Sequence, residues 1–260
     1  MRLDSDVRAL SFLCKPAFLS SPARTRHSLI RSLLYKAGRA AVWLYARLML
    51  QVDVSWQASL PAGPKLIVAN HPSTTDPFYL NLLSTQPMNL LLIQHPFMVP
   101  VFGTYLRWSG HVPVVPGQGR TAFDDAYRLL KKGRTVAIFP EGDVSPRRGG
   151  LHPPRTGAAR LALMTGVPIV PVGIYLPLWR CRTIVSHIGG RDYVGYWYMR
   201  GTYSMTVGQA LYGHGDVEDR AGVNRLSNQI MQQIDGLAQE SEWRATGATR
   251  RTRNPVPAIE

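Results

Sequence analysis

Short, nearly continuous apolar runs recur along the chain and alternate with segments of helical periodicity. The runs cover residues 65–70, 88–94, 111–115, 134–140, 167–174 and 203–207. An apolar run without polar alternation predicts a strand that is covered on both faces, and such strands occur mainly in parallel sheets. The chain is therefore predicted to adopt an α/β fold, with a mixed, largely parallel sheet flanked by helices.

The segments between the runs carry helix signals. Helices are predicted over 76–84, around 98–107, and over 121–133, 156–166 and 217–240. Thr121 is the expected N-cap of the third helix and Gly133 its stop signal. With 260 residues, 45% of them hydrophobic, the chain can bury one sizeable core. We expect an α/β domain over 57–240, an N-terminal arm over 1–56 and a disordered basic tail over 241–260.

The N-terminal arm is basic and contains an amphipathic helix. Residues 1–50 carry nine basic and two acidic residues, within a chain of net charge +14. Over residues 29–50, Leu29, Ile30, Leu33, Leu34, Ala37, Ala41, Leu44 and Leu48 share one face, opposite Arg31, Ser32, Lys36, Arg39 and Arg47. With Tyr35, Trp43 and Tyr45 near the boundary, this pattern favours a helix lying on an anionic membrane surface. A helix simply packed on the domain is the alternative.

The first residues do not fit a secretory signal. Asp4 and Asp6 lie where a signal peptide would be positive, and Lys15 and Pro16 interrupt its apolar run. The charges of the amphipathic helix also break any apolar span of bilayer length. We therefore expect a peripheral membrane protein on the cytoplasmic face.

The charge and the cysteines narrow the class of partner. A strongly basic chain suits an anionic partner, and phosphates on lipid, nucleic acid or a cofactor would all serve. Cys14 and Cys181 are too few for a disulfide framework and match no metal-ligand spacing, which favours a reducing compartment. The sequence lacks zinc spacing, a recognition-helix pattern and basic-aromatic strand motifs, so a nucleic-acid partner is not expected.

A polar corner follows the first predicted strand, in the stretch VANHPSTTDPFYL. Here His71 and Asp76 have the residue types of a general base and the carboxylate that orients it. In the structural alternative, Asp76 caps a helix that begins at Pro77 and His71 is an ordinary loop residue.

A second polar stretch, EGDVSPRRGG, follows the fourth apolar run. Glu141 would reach the carboxyl edge of the sheet, where open α/β folds build their sites, and Gly142 would allow close approach. Arg147, Arg148 and Arg155 suit phosphate, because a guanidinium offers paired donors to its oxygens. A turn carboxylate and a solvated basic loop are the structural alternatives.

The ordered set of NHPSTTD (70–76), FPEG (139–142) and VPIVPV (167–172) resembles the glycerolipid acyltransferase superfamily, the lysophosphatidic acid acyltransferase-like enzymes. The resemblance spans roughly residues 65–210, and the N-terminal helix is similar to the family's membrane-associated arm. It implies that His71 deprotonates an acceptor hydroxyl, which attacks an acyl thioester, with Asp76 as orienter. It also implies that Glu141 and Gly142 belong to the acceptor-binding motif.

Two positions depart from the family pattern. Pro116 stands where the family commonly has an arginine at the end of the stretch 110–116, and Arg120 is the candidate substitute. The family's Glu-Gly-Thr-Arg-Ser is here EGDVS (141–145), which loses a second arginine. These departures favour a lysophospholipid with a larger headgroup, or a glycolipid, over lysophosphatidate as the acceptor.

The resemblance implies a donor thioester, either acyl-CoA or acyl carrier protein, and no other cofactor. Two alternatives concern the chemistry. A transacylase independent of coenzyme A would use the same His71 and Asp76, and a metallophosphoesterase is disfavoured because His214 and Asp216 lack further ligands in short motifs. Several apolar residues could line an acyl tunnel, although such a run more often belongs to the hydrophobic core. They are Phe97, Met98, Val99, Val101, Phe102, Tyr105, Leu106 and Trp108.

Overall fold

The computed structural model of the chain describes residues 22–188 and 190–247. Within these residues the chain forms six α-helices and nine strands. In chain order they are α1 (Pro22–Met49), β1 (Leu50–Trp56), β2 (Leu66–Ala69), α2 (Asp76–Leu80), β3 (Met88–Ile93), α3 (Phe102–Trp108), β4 (Val112–Val114), α4 (Gly119–Lys131), β5 (Thr135–Ile138), α5 (Gly157–Thr165), β6 (Ile169–Tyr175), β7 (Arg182–Ile188), β8 (Arg191–Trp197), β9 (Gly201–Val207) and α6 (Arg220–Thr246).

Seven of the strands form one sheet in the order β1-β9-β6-β2-β5-β3-β4. All neighbouring pairs are parallel except β6 and β9, which run antiparallel. The prediction of a mixed, largely parallel sheet flanked by helices is thus confirmed. All six predicted strands are present, with ends within two residues of those expected.

The central strand β2 shows why the apolar runs are continuous. Its four residues are all completely buried. Leu66 and Val68 pack with residues of α4, α5 and α6, whereas Ile67 and Ala69 pack on the other face with side chains of α2 and β9. Because both faces are covered, successive positions must all be apolar.

The sheet also fixes where the two polar stretches meet. Strand β2 pairs in parallel with β5, with Leu66 opposite Val136 and Val68 opposite Ile138. The segments that follow these two strands therefore leave the same edge of the sheet side by side. Asn70 extends β2 on its other side, since its side-chain amide donates to the Ile174 carbonyl and accepts from the Ile174 N–H, at 2.8 and 2.7 Å.

Helix α1 packs on the domain by the side opposite its leucines. Tyr35 is buried, and its hydroxyl donates to the Asn81 side chain at 2.9 Å, while the Tyr45 hydroxyl donates to the Met199 carbonyl at 2.6 Å. Leu33, Leu44 and Leu48, from the predicted apolar face, are 64%, 54% and 70% exposed. The helix is therefore packed on the domain and also carries an unpartnered apolar face.

Three features of the fold differ from the predicted organisation. Residues 50–56, assigned to the arm, form β1, the edge strand of the main sheet paired with β9. Helix α6 continues to Thr246, so residues 241–246 are helical rather than part of a disordered tail, and residues 248–260 lie outside the described residues. Strands β7 and β8 form an additional antiparallel hairpin.

Candidate active site

His71 and Asp76 face each other at the carboxyl end of β2. His71 Nδ1 lies 3.1 Å from Asp76 Oδ2, and the side chains are 16% and 0% exposed. Because a carboxylate only accepts, this contact places the imidazole proton on Nδ1 and leaves the Nε2 lone pair able to take a proton. The ring stacks on Phe139, two residues before the second polar stretch begins, with centroids 4.1 Å apart and planes inclined by 18°.

The Asp76 carboxylate is held by three further donors. Oδ2 accepts from the Ser73 backbone N–H at 2.7 Å, and Oδ1 accepts from the Ser73 hydroxyl at 2.6 Å and the Tyr203 hydroxyl at 2.9 Å. Burial, together with the nearby Asp76 charge, raises the pKa of Tyr203 well above its usual value, so this phenol stays a donor. Tyr203 lies on β9, far along the sequence, and its role was not predicted.

Helix α2 begins at Asp76, one residue before the start at Pro77 that the capping alternative assumed, and Pro77 lies in the first turn. The Asp76 carboxylate, however, accepts from the N–H of Ser73, which precedes the helix. The position before the helix belongs to Thr75, whose side chain makes no capping hydrogen bond. Asp76 therefore turns back toward the loop and His71 and does not cap its own helix.

Glu141 ties the second polar stretch to the first. It is 4% exposed, and its Oε1 accepts from the His71 backbone N–H at 2.9 Å and the Ser145 hydroxyl at 2.6 Å. Its Oε2 accepts from the His152 backbone N–H at 2.8 Å, and burial raises the pKa of the carboxyl. Both oxygens are thus occupied by protein donors, which favours a positioning role for Glu141 over the direct acceptor contact that the resemblance implies.

Gly142 occupies a position that only glycine fits. Its φ is +69°, and an added Cβ would lie 2.1 Å from Arg155 Nε. The Arg155 side chain therefore crosses directly over Gly142, beside the second polar stretch.

The predicted arginines divide into two groups. Arg147 is half-buried at the site, where its guanidinium donates to the carbonyls of Pro72 and Leu178 and lies 4.6 Å from the Tyr196 ring centroid. Arg148 is exposed in the same loop. Arg120 pairs with Asp124 on the outer surface of α4 and is 88% exposed, so it does not join the group around His71.

Two hydrogen bonds join the β7–β8 hairpin to the loop between β2 and α2, which contains His71. The Thr74 N–H donates to the Tyr196 carbonyl at 2.8 Å, and the Tyr196 N–H donates to the Thr74 hydroxyl at 2.9 Å. The hairpin therefore forms a wall beside the site. The alternating residues around Gly189 and Gly190 could have indicated it, since such glycine pairs connect hairpin strands.

The hairpin carries a second histidine with the same spacing to an aspartate. His187 Nδ1 pairs with Asp192, and the two side chains are 76% and 63% exposed. Solvent screens this pair, whereas the His71–Asp76 pair lies against Phe139 and fully buried groups. Spacing alone therefore does not distinguish the two pairs, but burial does.

The residues proposed as an acyl tunnel are mostly not grouped in one cavity. Phe97 and Leu106 are buried core residues, whereas Met98, Val101 and Trp108 are 49%, 84% and 45% exposed. A cavity among α1, α2 and α3 has a volume of about 30 Å³, enough for one or two waters. Within residues 22–188 and 190–247, no group of three or more His, Cys, Asp or Glu is arranged to hold a metal ion, and no helix combines the length and apolarity needed to cross a bilayer.

Both polar stretches lie within a single region of the chain that matches a known protein family. Residues 51–175 match the family model for Acyltransferase. The chain is 24% identical over 257 residues to a 1-acyl-sn-glycerol-3-phosphate acyltransferase of Pseudomonas aeruginosa, covering 96% of this chain and 90% of that protein. It is 35% identical over 127 residues to a chloroplastic protein of the same name from Brassica napus, covering 47% of this chain and 36% of that protein.

The fold is shared with a solved structure. The crystal structure of the 1-acyl-sn-glycerophosphate acyltransferase PlsC from Thermotoga maritima superposes with a TM-score of 0.58 at 20% identity. The match covers 91% of this chain and 87% of that one. The similarity therefore extends over the whole α/β architecture.

Proposed function

We propose that the chain is an O-acyltransferase of the acyltransferase family, whose model matches residues 51–175, and that it moves a fatty acyl chain from an acyl thioester to a hydroxyl of a lysophospholipid at a membrane surface. The observation that carries this proposal is the partly buried contact of 3.1 Å between His71 Nδ1 and Asp76 Oδ2. The donor is acyl-CoA or acyl carrier protein.

In the proposed reaction the acceptor hydroxyl approaches His71 Nε2. As Nε2 takes the proton, the hydroxyl oxygen attacks the thioester carbonyl, and the C–O bond of the new ester forms. The tetrahedral intermediate collapses with cleavage of the C–S bond, and the imidazolium returns its proton to the departing thiolate. Asp76 stabilises the imidazolium, and no side chain forms a covalent intermediate.

The remaining site residues act on this pair. Ser73 and Tyr203 hold the carboxylate of Asp76 through both oxygens. Glu141 holds the backbone of His71, and Phe139 supports the ring. Because a misplacement of about 1 Å can reduce a rate about 10²-fold, we propose that these contacts fix the height and tilt of the imidazole.

The charges near the site support an anionic acceptor. The guanidinium groups of Arg147 and Arg155 lie beside the two polar stretches, and the relatives' names specify a 1-acylglycerol phosphate acceptor. Pro116 and Val144 remove two cations that the family pattern would supply. We propose that lysophospholipids with larger headgroups are accepted alongside lysophosphatidate.

The exposed face of α1 supports attachment to a membrane. Leu33, Leu44 and Leu48 present apolar area outward, and Lys36 and Arg47 are exposed on the same helix. Such a helix binds by burying its apolar side chains while its cations contact anionic headgroups. We propose peripheral association, on the cytoplasmic face, through this side of α1.

His71→Ala tests the proposal, with His187→Ala as the matched control. Removal of a positioned base should reduce acyl transfer about 10²- to 10⁴-fold, while the exposed His187 variant should keep the rate of the unmodified protein. Transfer is measured with acyl-CoA, acyl carrier protein and no thioester donor, against a panel of lysophospholipids. A His71→Ala protein of normal activity would exclude the mechanism, and product formed without a thioester would indicate a transacylase.

A further inference from the structure

An open pocket lies at the carboxyl end of α1, and neither His71 nor Asp76 lines it. Its walls come from the last turns of α1, the segment between β6 and β7, and the turn between β8 and β9, and its volume is about 460 Å³. Arg180, Arg182 and Arg200 all line it. The proposed acyl transfer makes no use of these three arginines.

The three guanidinium groups are not neutralised within the described part of the chain. No carboxylate among residues 22–188 and 190–247 forms an ion pair with Arg180, Arg182 or Arg200, whereas Arg120, Arg128, Arg225 and Arg244 all have acidic partners. Like charges around one cavity repel each other, and an anion placed between them relieves this repulsion. Guanidinium groups bind phosphate well because their paired donors match its oxygens.

The other walls of the pocket are apolar or aromatic. Trp179 is 81% exposed, and Met49 and Met199 are 50% and 40% exposed. Tryptophan at the boundary between water and lipid keeps its ring in the headgroup layer. Met49 follows Leu48 directly, so the exposed apolar face of α1 ends at the pocket.

We propose that this pocket binds the phosphate of a phospholipid headgroup from the membrane on which α1 lies. The phosphate lies among Arg180, Arg182 and Arg200, and Trp179 and the two methionines contact the glycerol and the upper acyl region. The pocket then sets the rotation of the domain about α1, because it fixes a second point on the membrane beside the helix. The inference rests on the proposed membrane association and is independent of the acyl-transfer chemistry.

The Arg182→Gln/Arg200→Gln double variant tests this site, with Arg128→Gln/Arg225→Gln as a control of equal charge. Arg180 is kept because it contacts the Trp179 ring, with its guanidinium carbon 5.2 Å from the centroid, and the Tyr198 hydroxyl. The control arginines lie on α4 and α6, which pack on the opposite face of the sheet from the site of α1. Binding is measured by flotation with vesicles of phosphatidylcholine alone or with added phosphatidylglycerol.

Each cation near an anionic membrane strengthens binding about 5-fold, so the pocket variant should bind phosphatidylglycerol vesicles about 30-fold more weakly. The control variant should change by less than about 3-fold. Equal losses in the two variants would mean diffuse attraction and would overturn the proposal, as would unchanged binding of the pocket variant. A pocket variant that keeps vesicle binding but loses affinity for free coenzyme A would assign the pocket to a soluble phosphate ester and overturn the lipid assignment.

The fluorescence of Trp179 gives a second measurement. Its emission, taken as the difference between the unmodified protein and Trp179→Phe, should shift to shorter wavelength when phosphatidylglycerol vesicles are added. An unshifted Trp179 emission on bound protein would place the pocket away from the lipid and refute the inference. Transfer to a detergent-dispersed acceptor, assayed in parallel, reports failure of the proposed reaction separately from failure of the pocket.

Discussion

Replacement of Asp76 by asparagine should separate the charge of the buried carboxylate from its hydrogen bonding. At Oδ2, the carboxylate accepts from the Ser73 N–H and from His71 Nδ1, which are fixed donors. At Oδ1, it accepts from the hydroxyls of Ser73 and Tyr203, which can rotate and accept instead. The asparagine carbonyl should therefore occupy the Oδ2 position, with its amide NH₂ toward the two hydroxyls, and the imidazole should keep its tautomer.

The size of the effect follows from the lost charge. Opposite charges about 4 Å apart interact by about 4 kcal/mol at an effective dielectric constant near 20, a value suited to partly buried pairs. The imidazolium forms only during proton transfer, so most of this loss appears in kcat, as about a 10²- to 10³-fold decrease. The weaker hydrogen bonds cost the folded state about 1–3 kcal/mol, which corresponds to a Tm lower by several degrees.

The assay is steady-state acyl transfer at saturating thioester, paired with thermal unfolding of the same preparation. Asp76→Ala provides the contrast, because it leaves buried donors without an acceptor and should destabilise the fold much more than asparagine does. A rate for Asp76→Asn within about threefold of the unmodified protein would refute the assignment of the charge to imidazolium stabilisation. Loss of folded protein in proportion to the loss of rate would refute the predicted amide orientation.

Three further variants test other parts of the structure. Burial lowers the pKa of His111 to about 4, so the unfolded chain binds more protons than the folded protein between about pH 4 and 6.5. The free energy of unfolding should therefore rise with pH by up to about 3 kcal/mol across that window. Urea titrations at several pH values should show that this free energy depends less on pH in His111→Gln. Glu141→Gln places an amide NH₂ against a backbone N–H whichever way it faces, so kcat should fall as the hold on His71 weakens, with stability lower by about 1–3 kcal/mol in thermal unfolding. Leu44→Ser/Leu48→Ser should weaken flotation with neutral and anionic vesicles alike, while transfer to a detergent-dispersed acceptor continues at the unmodified rate.

The strands could be predicted from the sequence because a parallel strand in the middle of a sheet is buried on both faces. Every residue of such a strand must then be apolar, as in residues 66–69. The same reasoning placed His71 and Glu141 each after the end of a strand, and the structure showed that these two strands, β2 and β5, are neighbours. It missed the β7–β8 hairpin, because charged and polar residues interrupt the apolar residues of both strands. These polar positions reflect a hairpin with one side facing solvent. It also assigned residues 50–56 to the arm, since an edge strand needs a partner that lies some 150 positions later.

The sequence by itself determined the α/β class and the delivery of a histidine, an aspartate and a glutamate to one edge of the sheet. Only the tertiary structure decided which of those groups are enclosed and which donors hold them. The same spacing of a histidine to an aspartate occurs three times, at residues 71/76, 187/192 and 214/219, but of the three aspartates only Asp76 is enclosed. The Tyr203 hydroxyl that helps to hold it comes from a strand 127 residues away. The burial of Asp76 and the hydrogen-bond donors around it depend on segments that are distant along the chain. They therefore result from packing and cannot be predicted from the local sequence.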